Sequence, residues 1–161
     1  MKKREIFEQV KRLRKEYLSN SIQDELIDYA KFFTKPNLIQ PKSVPLRKEV
    51  AKLTSLVLDL QVARERVVVI YLNVKKTIAI LKTFEKEILT RPKLKKKYTS
   101  LKNAEQREMF LYEHTKPIKL SLIRAKFMAE SAETIMYLID RHVTALKDNA
   151  YVLRAMIRTR E

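Results

Sequence analysis

Between Ile118 and Ile157 the apolar residues fall at Ile118, Leu122, Ala125, Ala129, Ala132, Met136, Ile139, Val143, Leu146, Ala150, Leu153 and Ile157. Steps of four and three alternate without a break. Such a repeat predicts an α-helix with one narrow apolar seam, the geometry that buries against a second helix in a coiled coil. At ~1.5 Å per residue the rod would be about 60 Å long. A matching seam runs through 46–89: Leu46, Val50, Leu53, Val57, Leu60, Val67, Tyr71, Val74, Ile78, Leu81 and Ile88, with Arg64 and Glu85 as charged members. Val67-Val68-Val69-Ile70-Tyr71 alone reads as a strand, but the seam on both sides overrides it, because a two-residue period would disrupt the seam.

Two shorter helices precede the rods. Ile6, Val10, Leu13 and Tyr17 predict one over 2–18, with Lys3, Arg4, Lys11, Arg12 and Lys15 on the other face. Such a helix packs on the fold or lies on a membrane surface. Ser19-Asn20-Ser21 breaks it, and Ser21 with Asp24 forms a capping-box signal for a second helix to about Phe33. Asp24, Glu25 and Asp28 make an acidic cluster there, read as a solvated helix start or as a contact for a neighbouring subunit's basic face. Pro36, Pro41 and Pro45 mark 35–45 as a linker. Pro92 ends the first rod. Asn103 with Gln106 starts a short helix to about His114, and Thr115-Lys116-Pro117 restarts the chain into the second rod.

The expected architecture is a single all-α domain. Segment 1–34 holds the N-terminal helices, 46–89 and 118–158 form a long antiparallel helical hairpin, and 90–117 is a basic insert. Ile88 would lie near Ile118, Ile78 near Phe127 and Met128, and Leu46 near the far end of the second rod. Each rod has a second apolar stripe: Leu58, Val62, Val69, Leu72 and Ala79 on the first, and Ile135, Leu138, Ala145, Val152 and Met156 on the second. A two-stranded hairpin needs one seam. The surplus predicts a homo-oligomer, with the second stripe as its interface.

Composition sharpens this reading. The 161 residues include no Gly, Cys or Trp. Lack of Gly argues against phosphate-cradling loops, and lack of Cys excludes disulfides and thiolate chemistry. No apolar run is long enough to span a membrane, and the basic N-terminus leaves no room for a secretory signal core. His114 and His142 are 28 residues apart and read as structural. Glu105 and Glu108 share a helix face, but Lys102 and Arg107 beside them favour ion pairs over a metal. Neither catalytic residues, nor a metal, nor a cofactor is indicated.

The charge points to a partner. Lys and Arg number 35 against 19 Asp and Glu, a net charge of +16. Such an excess attracts polyanions. Residues 91–102 carry Arg91, Lys93, Lys95, Lys96, Lys97 and Lys102 with no acid, and Tyr98 lies among them. Stretches 116–126, with Lys116 and Lys119, and 154–160 are also acid-free. In the hairpin the first two stretches meet at one end. Lysines displace counterions from phosphates and an aromatic ring stacks on an unpaired base, so this cluster is the candidate nucleic-acid site, non-sequence-specific in character.

The order of elements, with short helices, a long helix, a charged insert and a second long helix, resembles the bacteriophage recombination mediators of the UvsY type. So does the run Ala132-Glu133-Thr134-Ile135-Met136-Tyr137-Leu138-Ile139-Asp140-Arg141 with Leu146-Lys147 and Leu153-Arg154-Ala155-Met156. The resemblance spans about the last 110 residues. It implies an oligomeric, viral, DNA-recombination accessory protein that binds single-stranded DNA and meets other phage proteins in the host cytoplasm. The alternative is a helical virion or scaffold component working through protein interfaces.

Overall fold

The structure, a computed structural model, describes residues 1–34 and 46–159. The Pro-rich stretch 35–45, the side chains of Phe32, Phe33, Thr34 and Leu46, and residues 160–161 lie outside the described residues. Among the described residues five helices follow in order: α1 Lys3–Tyr17, α2 Asn20–Thr34, α3 Leu46–Leu89, α4 Pro92–Ser100 and α5 Ala104–Arg158. The protein is all-helical, and one long helix packs against another.

The chain groups into two compact units, 1–23 with 70–130 and 24–69 with 131–161. The later part of α3 thus groups with the earlier part of α5 in one unit, and the earlier part of α3 with the later part of α5 in the other.

In the first unit the core comprises Ile6, Val10 and Leu18 from α1 and its end, Ile70, Val74, Leu81, Phe84 and Ile88 from α3, and Phe110, Ile118, Leu122, Ala125, Met128 and Ala129 from α5. Val74, Leu81, Ile88, Ile118, Leu122, Ala125 and Ala129 are seam members; Tyr71 and Ile78 of the seam are half-buried, and Ile70, Phe84 and Met128 beside it are buried with it. Ala125 and Ala129 let a neighbouring backbone approach, and the bulk comes from Val74, Leu81 and Met128. Removing each large apolar side chain from water stabilises by roughly 1.5–3 kcal/mol. Thr77, Thr115 and Ser121 are buried too. Each hydroxyl donates to a carbonyl one turn earlier, Asn73, Leu111 and Pro117, at 2.7–2.8 Å. None is therefore buried unsatisfied. α1 turns Ile6 and Val10 inward, so its apolar face is spent on the fold. The start of α2 is tied to α5 by Arg124, which donates to Asn20 at 2.6 Å and Gln23 at 3.0 Å. The cap of α2 is Ser19, whose Oγ accepts from the Ile22 N–H, rather than the expected Ser21. α2 begins at Asn20, so Ser21 already lies inside the helix and its hydroxyl meets Ser19 at 2.9 Å.

In the second unit Leu26, Leu53, Val57, Leu60, Val67, Ala132, Ile135, Ile139, Val143 and Ala150 form the core. Arg64, the charged seam member, is accommodated by a two-pronged bond to Asp140, at 2.6 and 3.1 Å. Its stem can cover the seam while its head reaches the edge. A register with Ile88 opposite Ile118 would set Arg64 against His142; Asp140 lies two residues away. Arg66 grips Glu25 in the same two-pronged way, at 2.8 and 3.0 Å. Glu25 of the acidic cluster thus serves its own chain. Tyr29 donates to that carboxylate, and burial, then the Glu25 charge, raises its pKa.

One expected boundary is absent. α5 does not restart at 115–117; Pro117 lies inside it. Proline removes one N–H and crowds the carbonyl of residue 113. Glu113 is exposed, so water can take that carbonyl. Thr115 and Ser121 bond the carbonyls on either side, and buried Ile118 and Leu122 hold the downstream turn in place. Packing therefore overrides the local break.

Replacing Pro117 by Ala restores a helix bond without touching the seam. The variant should be more stable by about 1–3 kcal/mol, read as a higher urea midpoint at unchanged slope.

Candidate nucleic-acid interface

The lysine run is itself a helix. Pro92 occupies the first helical position of α4, where its missing N–H costs nothing and its fixed φ suits the turn. Leu94 and Tyr98, one turn apart, are half-buried, while Lys93, Lys95, Lys96 and Lys97 are exposed. Thr99 bonds the carbonyls of Lys95 and Lys96, and Ser100 that of Lys97. Lys97, in the last turn of α4, also matches its dipole.

α4 is held down by α5. Arg107 donates through Nε to the Leu101 carbonyl at 2.7 Å and lies 5.7 Å over the Tyr98 ring. Lys97 lies 5.6 Å over the Phe110 ring. Arg91 is half-buried and donates to the Met1 carbonyl at 2.6 Å. Of the nine expected contacts, Arg91 is thus engaged with the backbone and Tyr98 carries a cation of its own chain. Lys93, Lys95, Lys96, Lys97, Lys102 and Lys116 are exposed and Lys119 half-buried. Among the described residues none of these seven enters an ion pair.

A residue that sequence reasoning missed is Tyr112. It is 41 % exposed, and Lys116 and Lys119 each stand 6.0 Å from its ring. The three positions are spaced four and three apart on one helix face. The expected break at Pro117 hid that spacing.

Between α3, α4 and α5 lies a groove of about 540 Å³. Leu89, Leu94, Tyr98, Phe110, Leu111 and His114 wall it, and Lys82, Glu85, Lys86 and Lys95 stand on it with Thr90 and Thr99. Glu85, the other charged seam member, opens onto this groove. The Phe110 and His114 rings are 4.3 Å apart, and His114 Nδ1 lies 2.9 Å from the Phe110 carbonyl. That bond makes Nδ1 the donor and leaves Nε2 as an acceptor when the ring is neutral.

The second-stripe residues divide. Ile135 is 2 % exposed and belongs to the core of its own unit. Leu138 is half-buried, and Ala145, Val152 and Met156 are exposed. On α3, Leu58, Val62, Val69 and Leu72 are all about half exposed or more, at 58, 67, 48 and 58 %. Among the described residues no cluster of three or more His, Cys, Asp or Glu could hold a metal ion. No helix there is long and apolar enough to cross a membrane. Comparison with protein-family models, with curated proteins and with solved structures found no match.

Arg107 should be the clamp on α4. Arg107→Ala is expected to speed amide hydrogen exchange across 92–100 at least tenfold while α1 keeps its protection; equal protection of α4 would place the clamp elsewhere.

Proposed function

We propose that the protein is a non-enzymatic, oligomeric accessory protein that grips nucleic acid, single-stranded DNA above all, through α4 and the adjoining turns of α5. The observation that carries this reading is α4 itself: four exposed lysines on nine residues, without an acid on the helix or an ion pair among the described residues. Lysines left in this state hold a counterion cloud, and a phosphate chain that replaces it releases those ions to bulk water. Contact through lysine fits phosphate without reading sequence. The resemblance to UvsY-type mediators supports the same role, beside other phage proteins in a host cytoplasm.

Binding should fall steeply with salt. If all seven lysines outside ion pairs meet phosphates, the log–log slope for single strands is about −5. Charge reversal of Lys95, Lys96 and Lys97 should weaken binding and flatten that slope by about 2; fluorescence anisotropy across a salt series reads both. An unchanged slope would move the site off α4.

The second reading is a helical virion or scaffold component. It is favoured by the exposed apolar positions Leu58, Val62, Val69 and Leu72 of α3, with Val152 and Met156 of α5. Apolar side chains at seam spacing on an outer face suit burial against a second copy. Under either reading Val62→Glu should lower the sedimenting mass in analytical ultracentrifugation and leave helix content unchanged. A monomer at all concentrations before substitution would remove the scaffold reading.

A further inference from the structure

We infer that the groove between α3, α4 and the start of α5 receives an unpaired base of a single strand whose phosphates run over the α4 lysines. The inference rests on the phosphate-binding reading above and adds to it a cause for preferring single strands.

The groove's volume, about 540 Å³, falls within the ~300–1,000 Å³ of ordinary small-ligand sites. Its walls are of two kinds. Leu89, Leu94 and Leu111 are aliphatic, while Phe110 and His114 bring two rings together. A nucleobase has apolar faces for the first; of the two rings His114 is the one left to meet its π-face, because Phe110 is buried with Lys97 over its ring. Its edges need hydrogen-bond partners, and Thr90 and Thr99 line the groove. Both hydroxyls spend their protons on carbonyls of their own helices, which leaves their lone pairs to accept from a base amino or imino group.

The charges around the opening select an anion attached to that base. Lys82, Lys86 and Lys95 stand on the groove against the single carboxylate of Glu85. Lys95 belongs both to the groove and to the exposed run, so a nucleotide seated there sets its neighbours' phosphates along Lys93, Lys96 and Lys97. Tyr98 changes role accordingly. Its ring carries Arg107 and lines the groove as a wall, so it is not a free platform at the surface. In a duplex the bases are paired and stacked inward, and only phosphates reach the protein. The groove therefore discriminates strandedness without reading sequence.

The test uses the full chain and three fluorescent probes of equal length: a thymidine oligonucleotide, a single strand of abasic sites, and a duplex. Anisotropy is read across a salt series. The thymidine strand is expected to bind about tenfold or more tightly than the abasic strand, with parallel salt slopes, because stacking is lost and phosphates are kept. Equal affinity for the two single strands overturns the groove and leaves the phosphate reading standing; no binding to any probe overturns both. Leu94→Trp fills the groove from α4 and should erase the thymidine-over-abasic preference while keeping the salt slope. A preference that survives this filling, in a variant with the wild-type helical spectrum, also overturns the proposal.

Discussion

The fold depends on burial of one apolar seam between α3 and α5. Nearly every other feature is subordinate to it. The seam fixes which residues must be small, where Ala125 and Ala129 are covered, and which must be large, where Val74, Leu81 and Met128 fill the space. It sets how a charge may enter: Arg64 sits on the seam with its head at the exposed edge, where Asp140 meets it. It also decides what local sequence may do. Val67–Tyr71 is helical against its strand-like composition, and Pro117 is carried inside a helix it would otherwise end.

That hierarchy explains what could be read from the chain alone. A four-three repeat is a statement about one face of a helix, and burial follows it closely in both long helices. Boundaries set by a loss of packing, such as Leu89 with the following Arg91-Pro92, were legible for the same reason. The end at 115–117 was not, because a proline's local cost is visible in the sequence and the packing of Ile118 and Leu122 that outweighs it is not. α4 was unreadable as a helix for the opposite reason. Its nine residues have only Leu94 and Tyr98 as an apolar face, too few to establish a period.

The candidate site was legible as charge and illegible as geometry. An acid-free lysine run is visible in any sequence. That Tyr98 would be capped by Arg107 and that Arg91 would be turned to a backbone carbonyl depend on which helix faces meet, and that Lys116 and Lys119 would reach the Tyr112 ring depends on α5 running through Pro117. The stripe assigned to an interface shows the same limit. Ile135 shares its spacing with Val152 and Met156, yet it is 2 % exposed while they face outward. Spacing identifies a face and leaves open what covers it.

The position of α4 in the connection between the long helices has a consequence for how the chain reaches this structure. Lys97 meets Phe110 across a short stretch of chain, whereas Arg64 and Asp140 are separated by 76 residues. Contacts near α4 close the smallest loops and lose the least chain entropy, and each later layer enlarges the closed loop at a cost that grows only logarithmically. The segment that collects the lysine run is therefore the part of the connection whose contacts cost the chain least entropy.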